Sequence, residues 1–496
     1  MPDTRAWKTL DKDLGRISRV ERAAAYVARP LVGPALSLSF ILLAGLLAAL
    51  AIGVSPQGLV VVTAAALGAY MALNIGANDV ANNMGPAVGA RALTMGGAIV
   101  IAALCESAGA LIAGGDVVST IAKGIVTPDA MADPRAFIWA MMAALVSAAL
   151  WVNLSTWVGA PVSTTHAVVG GVMGAGIAAA GLSAVDWGVM SAIAASWVIS
   201  PVMGGVIAAA VLAFIKANIV YVDDKIAAAR RWVPVLIGVM AGAFAVYLAI
   251  KGLSQLIRVD PLLALGLGAA LGLAAYAASA PLIRRQARGM ENRNRSLKQL
   301  FALPLVLSAA LLSFAHGAND VANAVGPLAA IVAAMQSGAV GAEVTIPFWV
   351  MLIGALGISV GLILFGPKLI RLVGSQITRL NPMRAYCVAL SAAITVILAS
   401  WLGLPVSSTH IAVGGVFGVG FYREWHAERR RGLNGSSGPR PDDEPAAPLR
   451  IAAEERRRRK LVRRSHFLTI LAAWVITVPG AALISAAIYG LLSLAS

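Results

Sequence analysis

The sequence predicts an all-α polytopic membrane protein built from two inverted repeats, with broken helices, two re-entrant hairpins and about ten to twelve membrane segments. Three observations carry that expectation. The 496 residues are 59% hydrophobic and only 12% charged, whereas a soluble chain is about 45–50% apolar and about 25% charged. Apolar runs long enough to span recur along the chain, near 34–53, 58–92, 94–114, 136–157, 187–214, 232–253, 262–283, 301–336, 346–366 and 466–494. Two polar motifs, finally, occur twice in the same order.

The first run follows a basic arm of 33 residues. That arm is long for a signal peptide and lacks a clear cleavage pattern, so the run reads as a retained first helix. Two further stretches, 161–182 and 385–422, are interrupted by Pro-Val-Ser and read as broken helices or hairpins. The organisation expected is a basic arm and first helix (1–57), a first repeat (58–183), connecting helices with a basic loop (184–300), an inverted second repeat (301–422), a disordered basic loop (423–465) and a last helix (466–496). The loop is expected to be disordered because its Pro- and Gly-containing middle offers too few apolar residues to offset the entropy of ordering.

The formal charge of +16 would suggest nucleic acid in a soluble chain. Its distribution argues otherwise: seven Lys and Arg lie in 1–33, six in 284–298 and 13 in 423–464, all between apolar runs. If 136–182 and 385–422 return to the side they enter from, 35 of the 39 basic residues share one face; Lys123, Arg135, Lys251 and Arg258 take the other. The positive-inside rule makes that face cytoplasmic, with the N-terminus inside. The basic residues thus serve as anchors at a lipid surface, and no nucleic-acid partner is expected. Cys105 and Cys387 both lie in apolar stretches and give no disulfide framework.

Residues 76–86 read Gly-Ala-Asn-Asp-Val-Ala-Asn-Asn-Met-Gly-Pro, and residues 317–327 repeat nine of those 11 positions. Pro161-Val162-Ser163-Thr164-Thr165-His166 is matched by Pro405-Val406-Ser407-Ser408-Thr409-His410. The separations are 241 and 244 positions. Gly- and Pro-interrupted helices at corresponding places in two inverted halves point to a secondary transporter with its site between the halves.

Three acids, Asp79, Glu106 and Asp320, sit deep in apolar runs, and no Lys or Arg does. Such residues are costly and mark function, and Asp79 and Asp320 hold matching places. Asn78 and Asn82, like Asn319 and Asn323, are four apart and share a helix face; bridging of helices is the alternative role for these amides. The Pro-Val-Ser segments read as helix starts, where free backbone N–H groups and hydroxyls favour an anion. Packing or helix bridging is as good a reading of His166 and His410 as substrate contact, and His316 precedes only the second copy. An oxyanion beside two aspartates with no Lys or Arg to pair them is prohibitive. The expectation is therefore cation-coupled symport, with Asp79 and Asp320 binding Na⁺ or accepting protons, and Asn82, Asn323 and unwound backbone completing the shell.

Gly317-Ala318-Asn319-Asp320-Val321-Ala322-Asn323-Ala324 resembles the signature of the PiT family of inorganic phosphate transporters, and the first copy differs only at Asn83. The Pro161 and Pro405 segments resemble that family's hairpin motifs. The resemblance implies uptake of inorganic phosphate with Na⁺ or H⁺ through an inverted-repeat α-helical fold, in a homodimer. It gives the cation role to Asp79 and Asp320, and the phosphate role to Asn78, Asn319, Ser163, Thr164, Thr165, Ser407, Ser408 and Thr409. Glu106, in Leu104-Cys105-Glu106-Ser107, is similar to a functional glutamate of the family and is expected to serve as a proton or coupling residue. Ala389 stands where sodium-coupled members tend to have a second glutamate, which tilts the expectation toward protons. No cofactor is expected, and no metal beyond Na⁺ at Asp79 and Asp320. The alternatives are a sulfate permease of the same family, a membrane-embedded phosphohydrolase using His166 or His410, and a phosphate sensor; the hydrolase lacks an electrophilic stabiliser for its reaction.

Overall fold

The structure is a computed structural model and describes residues 30–53, 55–127, 131, 133–158, 162–253, 259–337, 346–372, 380–434 and 464–494. Among them the chain is almost wholly helical, with an isolated bridge between Val126 and Val185 as its only extended pairing. The helices are α1 (Pro30–Ile52), α2 (Pro56–Asn78), α3 (Val80–Gly89), α4 (Met95–Ala113), α5 (Gly115–Ser119), α6 (Pro134–Val158), α7 (Thr164–Ala180), α8 (Trp187–Ile215) and α9 (Lys225–Lys251). After α10 (Pro261–Gln286) and α11 (Asn294–Leu300) come α12 (Ala302–Asp320), α13 (Ala322–Ser337), α14 (Phe348–Leu372), α15 (Pro382–Trp401), α16 (Ser408–Asn434) and α17 (Arg464–Leu494). Eleven helical stretches are long and apolar enough to cross a membrane.

Local chemistry sets the helix starts. Pro56 and Pro382 open α2 and α15, where a missing N–H costs nothing, behind the side-chain caps of Ser55 on Gly58 N (2.9 Å) and Asn381 on Arg384 N (3.0 Å). Thr94 and Asp186 cap α4 and α8 in the same way. Two long apolar runs are each split at the repeated signature, α2 from α3 at Asp79 and α12 from α13 at Val321. The break is smaller than the unwound segment expected. Asp79 keeps right-handed helical angles, and the ladder tightens by one i→i+3 bond, Asn82 N to Asp79 O at 3.0 Å, matched by Ala324 N to Val321 O at 3.1 Å. Each break lies ahead of an internal proline, Pro86 or Pro327, which removes an i→i−4 bond and crowds the preceding turn.

The two halves pack alike. Gly76 on α2 lies against the Ile358 carbonyl of α14, and Gly317 on α12 against the Glu106 carbonyl of α4, both too close for a Cβ. Gly361 against Leu73 and Gly109 against Phe314 repeat the pattern. Residues 106 and 358, and 109 and 361, are therefore structural mates, so α4 corresponds to α14 although no motif links them.

Among the helices long enough to span, the continuous α12–α13 stretch and α15 are the most buried, whereas α1, α10 and the described part of α17 expose most of their surface. Leu265 and Leu273 on α10 and Leu483 on α17 face outward, as lipid-facing side chains do. α6–α7 and α15–α16 form the two helical hairpins, and the first limb of each is long enough to span. Pro161, in the link of the first hairpin, lies outside the described residues. α16 continues to Asn434, so the opening of the segment expected to be disordered is helical; residues 435–463 of that segment lie outside the described residues.

Candidate functional site

The repeated motifs meet in the centre and bond each other in matched pairs. Within each half, a hairpin hydroxyl donates to the signature aspartate: Thr164 Oγ1 to Asp79 Oδ2 at 2.7 Å, and Ser408 Oγ to Asp320 Oδ2 at 3.4 Å. Between halves, each second asparagine reaches the opposite hairpin. Asn82 Nδ2 donates to Thr409 Oγ1 at 2.9 Å, and Asn323 Nδ2 donates to Thr165 Oγ1 at 3.1 Å and Thr164 Oγ1 at 3.3 Å. All these residues are buried except Asn82, which is partly so. The signature and hairpin motifs, which lie 85 to 327 positions apart in these pairs, thus form one site.

Ser163 and Ser407 act as caps. Each hydroxyl accepts a backbone N–H, from His166 (3.2 Å) and His410 (3.4 Å) respectively, and fixes the starts of α7 and α16 beside the signatures. Helix starts carry N–H groups with no partner inside the helix and the positive end of the dipole. Two of them held together by reciprocal asparagine bonds make a surface suited to a tetrahedral oxyanion.

The first asparagines differ. Asn78 Nδ2 donates to Asp79 Oδ1 at 3.1 Å. Asn319 spends its amide on the second hairpin instead: Nδ2 donates to Ser400 Oγ (3.0 Å) and the Leu404 carbonyl (3.1 Å), while Oδ1 accepts from Val406 N (3.2 Å). Expected as a phosphate ligand, Asn319 here shapes the non-helical link that presents Ser407 and Ser408.

The three acids read from the sequence are the buried acidic residues among those described, and no buried Lys or Arg accompanies them. Yet the site is not without a basic group. His316, one turn before Asp320, is fully buried, with Nδ1 2.6 Å from Glu106 Oε2 and Nε2 2.7 Å from Asp320 Oδ2. Asn83 Nδ2 donates to Glu106 Oε1 at 3.0 Å. A continuous chain, Asn83–Glu106–His316–Asp320, therefore ends on the second aspartate. One ligand atom each from Asp79, His316 and Asp320 lies within 4.8 Å of the others, close enough to share one cation.

Sequence reasoning gave His316 no role because it lacks a counterpart in the first copy. The available signal was its spacing: a residue four before Asp320 shares its helix face. Asn83 was visible only as a departure from the signature.

The chain as a whole is similar to known phosphate transporters. The profile of the Phosphate transporter family matches residues 75–485. A Helicobacter pylori protein named "Putative phosphate permease" is 51% identical over 84% of this chain and 79% of its own length. The chloroplastic inorganic phosphate transporter 2-1 of Arabidopsis thaliana is 35% identical over 83% of this chain and 68% of its own. A solved structure described as "The sodium-dependent phosphate transporter" superposes with a TM-score of 0.77 at 34% identity, covering 88% of this chain and 99% of that one. With the signature pairs, the hairpin hydroxyls and the matched family span in agreement, the chain belongs to the phosphate transporter family and is a multi-pass membrane transporter, not an enzyme.

Proposed function

We propose that this protein is a secondary active symporter that imports inorganic phosphate with H⁺ or Na⁺ across the cytoplasmic membrane, its N-terminus inside. The observation that carries this reading is the reciprocal bonding of Asn82 to Thr409 and of Asn323 to Thr165. It ties two capped helix starts, one from each half and each bonded to its own buried aspartate, to each other. Phosphate binds across those starts through backbone N–H groups and the hydroxyls of Thr164, Thr165, Ser408 and Thr409, while Asn78, Asn319, Ser163 and Ser407 hold the surface in shape.

Charge supplies the coupling. Three buried carboxylates face one imidazole, and a divalent anion adds to a deficit that burial makes expensive. Cations enter with the anion and bind at Asp79 and Asp320, with Asn82 and Asn323 close by. The sodium dependence named for the solved relative supports Na⁺ as one such ion. Glu106 and His316 hold Asp320 and balance part of its charge. With the site at the contact of two repeats, rocking of one against the other exposes it to each side in turn.

Phosphate uptake into proteoliposomes, with Na⁺ and pH gradients imposed separately and sulfate as competitor, tests this reading. Concentrative uptake driven by at least one gradient is expected. Binding without uptake would point to a sensor, preferred uptake of sulfate to the sulfate permease, and hydrolysis of added phosphate esters to the enzyme.

A further inference from the structure

The non-helical link between α15 and α16 has its backbone bonded by side chains of three other helices. Asn319 on α12 takes the Leu404 carbonyl and Val406 N, and Thr165 Oγ1 on α7 donates to the Val406 carbonyl at 3.1 Å. The remaining carbonyl, that of Pro405, accepts from Trp197 Nε1 at 3.0 Å. Trp197 lies on α8, outside both repeated motifs. The same indole packs on His166 of the other hairpin, with ring centroids 3.9 Å apart, and His166 meets His410 edge-on at 4.7 Å. One side chain thus holds the link of the second hairpin by a hydrogen bond and the start of α7 by ring contact.

The helix carrying it is matched in the other half. Gly414 and Gly418 of α16 lie against the carbonyls of Pro201 and Gly205 on α8, too close for a Cβ; Gly170 and Gly174 of α7 lie in the same way against Val478 and Ala482 on α17. Pro201 and Val478, like Gly205 and Ala482, are 277 positions apart, and the same separation takes Trp197 to Trp474. The sequences agree around them, Trp197-Val198-Ile199-Ser200 against Trp474-Val475-Ile476-Thr477. The internal repeat therefore includes α8 and α17, and a tryptophan is one of its repeated residues.

We propose that Trp197 is a positioning residue for phosphate. Its N–H fixes the Pro405 carbonyl, and with it the backbone that leads into Ser407 and Ser408; its ring fixes His166, the residue after Thr165. Both halves of the anion surface are set by one side chain that does not touch the anion, and Trp474 occupies the matching sequence position in the second half. This inference rests on the reading of the hairpin starts as the phosphate site.

Phosphate uptake kinetics of Trp197→Phe in proteoliposomes, normalised to the amount of reconstituted protein, test it. Phenylalanine keeps a ring against His166 and removes the hydrogen bond, so the KM for phosphate should rise about five- to tenfold, the loss of one hydrogen bond to a buried carbonyl, with Vmax within about twofold. Trp197→His, which returns a ring N–H, should recover part of that KM. An unchanged KM in Trp197→Phe, or a fall in Vmax alone with KM constant, would overturn the inference while leaving the transporter reading intact. Wild-type protein that moves no phosphate would overturn both. If Trp197→Phe does not insert, Trp197→Leu against Trp197→His decides: a KM raised at least about fivefold in the leucine variant and lower in the histidine variant supports a positioning N–H, and equal KM values in the two refute it.

Discussion

The two halves of the site are alike where the hairpins meet the signatures and unlike behind the aspartates. Asn82–Thr409 and Asn323–Thr165 are mates, as are Thr164–Asp79 and Ser408–Asp320. Behind the aspartates the correspondence stops. Asp79 is bonded by the neutral groups of Asn78 and Thr164, whereas Asp320 lies against His316, itself against Glu106. The mates of Asn83, Glu106 and His316 are Ala324, Ile358 and Ile75. These three polar residues join in one chain, and their counterparts are apolar. A duplicated scaffold has kept two matched hairpin starts while making the surroundings of its two aspartates unequal.

The largest expected effect tests what the halves share. Asp79→Asn and Asp320→Asn should each reduce gradient-driven phosphate uptake by about 100-fold or more, since each removes a charge at constant volume that burial makes decisive, with membrane insertion preserved. Normal uptake in either variant would remove that residue from the cation site. The next effect tests what they do not share. His316→Ile alone leaves two buried carboxylates without their partner, and breaking such a pair costs about 3–5 kcal/mol. The double variant Glu106→Ile/His316→Ile gives the second half the apolar pair of the first and should be more stable than His316→Ile in a thermal-unfolding assay. Equal or lower stability of the double variant would break the comparison.

Much of this was legible in the sequence. The repeated signature and hairpin motifs gave the two aspartates, the hydroxyls and the duplication, because each residue type appears twice at nearly constant spacing. The split of the long runs at Asp79 and Val321 was not, since the apolar runs continue through both signatures and Pro86 and Pro327 lie inside the following helices. The asymmetric chain was not, because self-comparison finds what recurs, and Asn83, Glu106 and His316 do not recur. Trp197 escaped for the opposite reason: its mate lies 277 positions away, not 241 or 244, and neither α8 nor α17 carries a polar motif. Nor could spacing reveal that Asn319 bonds the hairpin backbone, since that depends on the path of residues 404–406.

Smaller effects sharpen the equality of the anion surfaces. Asn82→Ala and Asn323→Ala should raise the KM for phosphate by similar factors, about three- to tenfold, through the loss of one hydrogen bond between halves for Asn82 and of two longer ones for Asn323. A difference beyond fivefold between the two would make the cradle as lopsided as the acids. Smallest of all, Ser163→Ala and Ser407→Ala should each cost about 1 kcal/mol as lost N-caps, read as matching decreases in thermal stability. If only one variant loses stability, the two helix starts are not held in the same way.

On the proposed reading, anion and cation occupy this site together because its buried charge is net acidic. Phosphate affinity of the purified protein, measured across a matrix of Na⁺ concentration and pH, tests it most directly. Affinity should increase with Na⁺, with proton concentration or with both, and Asp79→Asn should weaken this dependence. Phosphate binding of constant affinity across the whole matrix would contradict it.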